Sequence, residues 1–266
     1  APTQMPSSNH FYRFVPGSYS FSQAQQLASA SSYLGLPGHL ATIESQAENN
    51  FLYSLAPNGV YWAGATDIGP ESTSRRNWTW INSSGAESKF TVCSSDSGAA
   101  NCASYNDAFT DWNGAYGQPD GRGTDTFMVV SKAYSGGFWF DAPASERNGY
   151  VVEFEFNPTT NPAVSSPAIV GGSVSATLGI FPSGASQPTF VWQRRSNGGT
   201  WIDIINSGGS SAEVDKLSRF ISSNDVGSSL RVKVNTYYDN ENFTYFSNEV
   251  IVLEKLPYIQ QRSTLG

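Results

Sequence analysis

At 266 residues the chain is long for one domain and comfortable for two, and 14% aromatic against 14% charged content favours β structure with long loops over a helical bundle. A formal net charge of -7 leaves no basic stripe to displace counterions from phosphates, which excludes nucleic acid as a partner. No run approaches the roughly 18 apolar residues that span a bilayer, so no direct membrane span is expected.

The stretch from Phe11, "FYRFVPGSYSFSQAQQLASASSYLGLPGHLATIESQAENNFLYSLA", predicts a strand, a helix starting near Ser22, a glycine-broken loop, a short strand from His39 to Ile43, and a second helix. Ser45 followed three residues later by Glu48 is a capping-box pattern that marks the start of that second helix, with Glu44 and Glu48 as capping charges. "VYWAGATD", "NWTWIN", "DTFMVVSKA", "GGFWFDA" and "GYVVEFEF" then read as strands. The longest connection between them runs from about Ser83 to Gly123, and a polar loop of about forty residues is expected to carry function or to be ordered by a ligand. The only two cysteines, Cys93 and Cys102, fall inside it among Ser, Gly and Ala. That setting favours a loop disulfide, and hence an oxidising compartment, over a zinc site or two free surface thiols. With His10 and His39 the only histidines, neither a zinc site nor a Ser-His-Asp arrangement can be built from the sequence.

"NPTTNPAVSSP" is dense in Pro, Ser, Thr and Asn without apolar periodicity, so residues 157–167 read as a linker closing a first domain of residues 1–156. Residues 168–254 read as all β: Trp192 sits in "TFVWQRR", and "LRVKV" places Leu230, Val232 and Val234 on one face with Arg231 and Lys233 on the other. The remaining residues, 255–266, form a tail that leads to another module or is an excision scar. A start at Ala1 likewise reads as a processed or excised form.

"GHLATIESQAENNFL", "WAGATD", "WTWIN", "FTDWNGAYGQPD" and "NGYVVEFE" in this order resemble the C-type lectin-like domain, in a cysteine-poor form, over roughly Phe11 to Glu155. The resemblance implies an α+β fold with two helices, antiparallel sheets and a long loop region. The family's long-range disulfides are missing, so an apolar core must hold the fold. "VWQRRSNGGTWIDI" with "ISSNDVGSSLRVKV" is similar to the all-β immunoglobulin-like sandwich modules of bacterial surface proteins, which serve as spacers.

The lectin resemblance assigns chemistry to "GAYGQPDGRGTD". Calcium takes six to eight oxygen ligands in a forgiving geometry, and carboxylates with an amide carbonyl supply them. Gln118, Pro119 and Asp120 match the family's Gln-Pro-Asp, whose proline is cis. Asp125 stands one residue early for the family acid, and Trp139 and Asp141 match the first and last residues of its Trp-Asn-Asp. Phe140 takes the place of an amide ligand, which leaves Gln118, Asp120, Asp125 and Asp141 as the candidate ligands for calcium and for sugar hydroxyls. Gln-Pro-Asp goes with galactose-type sugars in the family, and Trp112, Tyr116 or Trp139 would supply the aromatic face. Asp67 and Glu71 have the spacing of an auxiliary calcium site, whose further ligands fall on Gly121 and Thr126. His39 matches a recurrent structural histidine.

The resemblance therefore implies a calcium-dependent lectin of adhesin-like layout, secreted or displayed at a cell surface, with glycans of cells or matrix as partners and further modules in a larger adhesin. The alternative is a calcium-independent protein-binding or surface-binding lectin-like domain, favoured by Phe140 and the cysteine-closed loop. A glycosidase using Asp120 with Asp125 or Asp141 is the third reading. It is disfavoured because calcium ligands must stay ionised whereas a general acid must hold a proton, so the protein is not expected to be an enzyme.

Overall fold

The computed structural model describes residues 1–56, 59–67, 76–81, 87–94, 102–120, 125–131, 138–204 and 216–255. The chain divides into two compact units, Ala1–Phe156 and Asn157–Gly266.

In the first unit the elements run β1 (Thr3–Gln4), β2 (His10–Tyr19), α1 (Phe21–Ser29), β3 (Ser32–Tyr33), β4 (Leu36–Leu40), α2 (Gln46–Leu55), β5 (Val60–Asp67), β6 (Arg76–Ile81), β7 (Glu87–Cys93), β8 (Cys102–Ser104), β9 (Asp125–Ser131), β10 (Phe138–Pro143) and β11 (Asn148–Glu155). Ser20 caps α1 by a reciprocal box with Gln23, and Ala24 and Ala28 turn the helix's small face to the sheet. At α2 the Ser45 side chain accepts from Glu48 N–H, but the Glu48 carboxylate bonds the N–H of Glu44 instead of closing a box on Ser45. Glu48 is more than a capping charge: it is buried, and the Tyr12 hydroxyl donates to it.

The sheet is mixed. β11 lies between β2 and β4, antiparallel to both, and runs parallel to β5. Such a strand is covered on both faces, which is why "YVVEFE" is almost continuously buried. From β5 the sheet continues through β6, β7 and β8, while β9 pairs with β5 and carries β10 outward. The core is built of aromatic rings: Trp80 stacks on Phe90 at 4.4 Å, and Trp139 meets Trp80, Phe90, Phe109 and Trp112 edge-on at 5.5–5.9 Å.

The expected forty-residue loop is a correction. Two of its segments are the paired strands β7 and β8, in which Cys93 opposes Cys102 and the two are disulfide-bonded. Polar residues such as Ser88, Lys89 and Ser104 hide these strands in the sequence, and Phe90 and Thr91 hold them on the core.

The second unit is all β: β12 (Ala163–Val164), β13 (Ala168–Ile169), β14 (Ser173–Thr177), β15 (Thr189–Arg195), β16 (Ile202–Asp203), β17 (Ser218–Phe220), β18 (Ser229–Tyr238), β19 (Glu241–Phe246) and β20 (Val250–Leu253). One sheet orders as β12-β14-β17 and the other as β13-β20-β18-β15-β16, with β19 on β18. Both feed one core of Val164, Val174, Trp192, Ile221, Leu230, Val232 and Val252. Strict alternation in β18 buries Leu230, Val232 and Val234 and leaves Arg231 and Lys233 part-exposed.

Candidate functional site

Candidate ligands from a loop and two strands converge at one end of the β9–β10 pair. Asp125 opens β9 opposite Pro143 of β10, and Asp141 lies two residues before that proline. The loop arrives alongside β10: Trp139 N–H donates to the Asp111 carbonyl at 2.9 Å, and Asn113 N–H donates to the Trp139 carbonyl at 3.1 Å. A single 3-10 turn, Gly114–Tyr116, then ends at Gly117, whose φ of 71° suits glycine. Gln118 N–H returns to the Asn113 carbonyl at 3.0 Å, and the Gln118–Pro119 peptide bond is cis.

Two backbone-to-side-chain hydrogen bonds clasp loop and strand. Asp141 N–H donates to Gln118 Oε1 at 3.0 Å, and Asp120 N–H donates to Asp141 Oδ1 at 3.1 Å. The clasp places one carboxylate oxygen each of Asp120, Asp125 and Asp141 within 4.8 Å of one another. At about that separation two ionised carboxylates repel by roughly 3 kcal/mol under an effective dielectric constant near 20, so the group is poised to take up positive charge. Three carboxylates and an amide oxygen form a hard, all-oxygen donor set that suits calcium.

Asn49, on α2, supports this arrangement and went unrecognised in the sequence. It is fully buried; its Oδ1 accepts the Trp139 indole N–H at 3.0 Å and its Nδ2 donates to Asp111 Oδ2 at 2.6 Å. Tyr53 donates to the same Asp111 oxygen at 3.2 Å. Burial pushes the Asp111 carboxyl above its ordinary range, while the Asn49 and Tyr53 bonds pull it back. An amide among the buried residues of α2, beside Leu52, is the one sequence signal that pointed to it.

The aromatic candidates separate. Trp139 is corrected from sugar contact to core: it is 0% exposed and presents nothing to a ligand. Trp112 is half-buried against Trp78, with its indole N–H donating to Thr91 Oγ1 at 3.1 Å. One side of it lines, with Ser104, Asp111 and Gln118, a polar cleft of about 230 Å³. Tyr116 is 61% exposed, and its ring centroid lies 6.3 Å from that of Phe140.

Of the auxiliary pair, Asp67 Oδ1 accepts from Asn77 N–H at 3.0 Å, joining β5 to β6, whereas Glu71, like Gly121, lies outside the described residues. His39 is buried, with Nδ1 donating to the Leu40 carbonyl at 2.8 Å.

The family profile of the lectin C-type domain matches residues 18–151. Halomucin of Haloquadratum walsbyi is 28% identical over 192 residues, which are 71% of this chain and 2% of halomucin. The chain thus spans a small fraction of that relative's length. Among solved structures, the C-type lectin CEL-I of Cucumaria echinata is similar at 20% identity and a TM-score of 0.41, covering 58% of this chain and all of CEL-I. The C-type lectin domain of the murine dendritic cell inhibitory receptor 2, solved in complex with an N-glycan, is 22% identical with a TM-score of 0.40, covering 55% of this chain and 91% of that one.

Proposed function

The chain belongs to the C-type lectin domain family, and from that premise we propose that its first unit binds carbohydrate in a calcium-dependent way, with galactose-type sugars favoured. The observation that carries this reading is the convergence of Asp120, Asp125 and Asp141 beside the amide oxygen of Gln118. These four residues would hold calcium, and the bound ion would supply open coordination positions for two vicinal hydroxyls. The ligands' own oxygens accept hydrogen bonds from those hydroxyls, and the Gln118 amide donates to them. Tyr116 offers the exposed aromatic face a galactose-type ring needs. This is recognition without turnover, because a site that keeps its carboxylates ionised has no general acid.

The second unit, in this reading, is an immunoglobulin-like spacer, residues 157–167 are the linker before it, and the whole is an extracellular adhesin module whose disulfide reflects an oxidising compartment. Phe140, half-buried where the family places an amide ligand, favours a second reading in which the same face binds a protein or another surface without calcium. Calorimetry with calcium, followed by a glycan array with and without chelator, separates the two. The lectin reading expects calcium binding and chelator-sensitive binding of galactose-type glycans. Glycan binding indifferent to chelator, or no calcium binding at millimolar concentration, would overturn it.

A further inference from the structure

The sequence separates its two histidines by 29 positions, but the sheet register unites them, since His10 opposes Glu155 across β2–β11 and His39 opposes Glu153 across β4–β11. Glu153 and Glu155 are two apart on β11 and so share one face. The result is an alternation of imidazole and carboxylate: His10 Nδ1 lies 2.5 Å from Glu153 Oε1, and His39 Nε2 lies 3.3 Å from Glu155 Oε1. Ligand atoms of His10, Glu153 and Glu155 all fall within 4.8 Å of one another.

The orientation of each group is fixed from behind. The Leu40 carbonyl can only accept, so the Nδ1 of His39 carries a proton, and in the neutral ring Nε2 presents its lone pair. That nitrogen is buried, makes no hydrogen bond, and faces a carboxylate oxygen. Two lone-pair atoms so placed need a cation between them, either a proton or a metal ion. Glu153 is fully buried and held by Thr42 N–H at 2.8 Å and Thr42 Oγ1 at 3.0 Å. A ring N–H on a backbone carbonyl and a carboxylate held by hydrogen bonds are the supports that orient ligands around a metal. His10 and Glu155 are each about a quarter exposed at the side chain, 29% and 25%, which leaves a path from solvent.

We propose that His10, His39, Glu153 and Glu155 form a second cation site, for a divalent first-row transition ion such as zinc and not for calcium. Imidazole nitrogens suit zinc, cobalt and nickel, whereas calcium takes oxygen. With metal–ligand bonds near 2.0–2.2 Å, a tetrahedron needs ligand atoms roughly 3.3 Å apart; His10, Glu153 and Glu155 already converge within 4.8 Å, and His39, 3.3 Å from Glu155, joins them as the fourth ligand by a side-chain adjustment. An ion there ties β2, β11 and β4 together and so stabilises the first unit.

The test is a cobalt(II) titration of the full chain, stripped with chelator and then kept in excess calcium, followed by zinc competition. The expected result is an intense visible spectrum of tetrahedral cobalt, lost on adding zinc and unaffected by calcium. His39→Gln and Glu155→Gln should each weaken cobalt at least tenfold, with circular dichroism confirming the fold; Glu155→Gln, at a part-exposed position, keeps the test decisive should His39→Gln fail to fold. No spectrum at submillimolar cobalt, a spectrum removed by calcium, or one unchanged in the folded variants overturns the proposal.

Discussion

Replacing Asp141 by Asn is predicted to raise the stability of the first unit without calcium and to lower it with calcium. Asp141 Oδ1 accepts the Asp120 N–H at 3.1 Å, and an asparagine keeps an oxygen for that bond at nearly unchanged volume. What disappears is one of three negative charges whose oxygens lie within 4.8 Å of one another. At roughly 3 kcal/mol per pair, and with two of three pairs removed, the relief is roughly 6 kcal/mol before screening. Asp120 and Asp125 are part-exposed, so water and counterions take most of it and on the order of 2 kcal/mol remains. For a unit of this size that is a rise of about 4–8 °C in melting temperature. Calcium at 1,000 times its Kd stabilises the wild type by about 4.1 kcal/mol, while the variant lacks a charged ligand and gains far less, so the order of stabilities inverts. Thermal melts of both proteins in chelator and across a calcium series read this directly. A variant that melts below the wild type in chelator refutes the repulsion argument, and one that gains as much from calcium refutes the ligation.

Phe140→Asn restores an amide oxygen beside Asp141 and should tighten calcium by about tenfold and glycan binding with it, since one added contact to a charged centre exceeds about 1.4 kcal/mol; calorimetry checks it. Tyr116→Ala should leave calcium affinity unchanged and weaken galactose binding roughly three- to tenfold, the value of one aromatic face, measured by glycan titration at saturating calcium. Alkaline pH should destabilise the metal-free first unit. Burial lowers the His10 pKa, but the hydrogen bond to Glu153 and the charges of Glu153, Glu48 and Glu155 outweigh it and raise it from 6.5 to about 9. A raised pKa gives stability that is complete below 6.5 and lost as pH climbs through about 9, here about 3 kcal/mol, so melts in chelator should fall between pH 6.5 and 9 in the wild type and stay flatter in His10→Gln.

Local patterns were legible wherever the physics is local. The alternation in β18, the Ser45 cap of α2 and the approach of Asp125 to Asp120 each lie within ten residues of chain, and period, cap chemistry and side-chain type speak at that range. β7 and β8 were not legible because their outward residues are polar and their inward ones are justified by distant partners, Trp80, Trp112 and Trp139. The His10 and Glu153 pair spans 143 positions, so the sequence could show two lone histidines but not the strand order that brings them together.

The one aromatic assignment that failed shows how the site is held. Trp139 and Asp141 share a face of β10, so the strand that delivers the Asp141 carboxylate to the rim also drives an indole into the core directly beside it. Through Asn49, that indole is tied to Asp111, whose carbonyl in turn receives the Trp139 backbone N–H. The loop carrying Gln118 and Asp120 is thus fastened to the buried core on one side and clasped by Asp141 on the other. A polar network anchored on a fully buried amide is costly to break. It holds Gln118 and Asp120 in register, and in the proposed reading binding energy that would otherwise go into ordering the loop remains for the ligand.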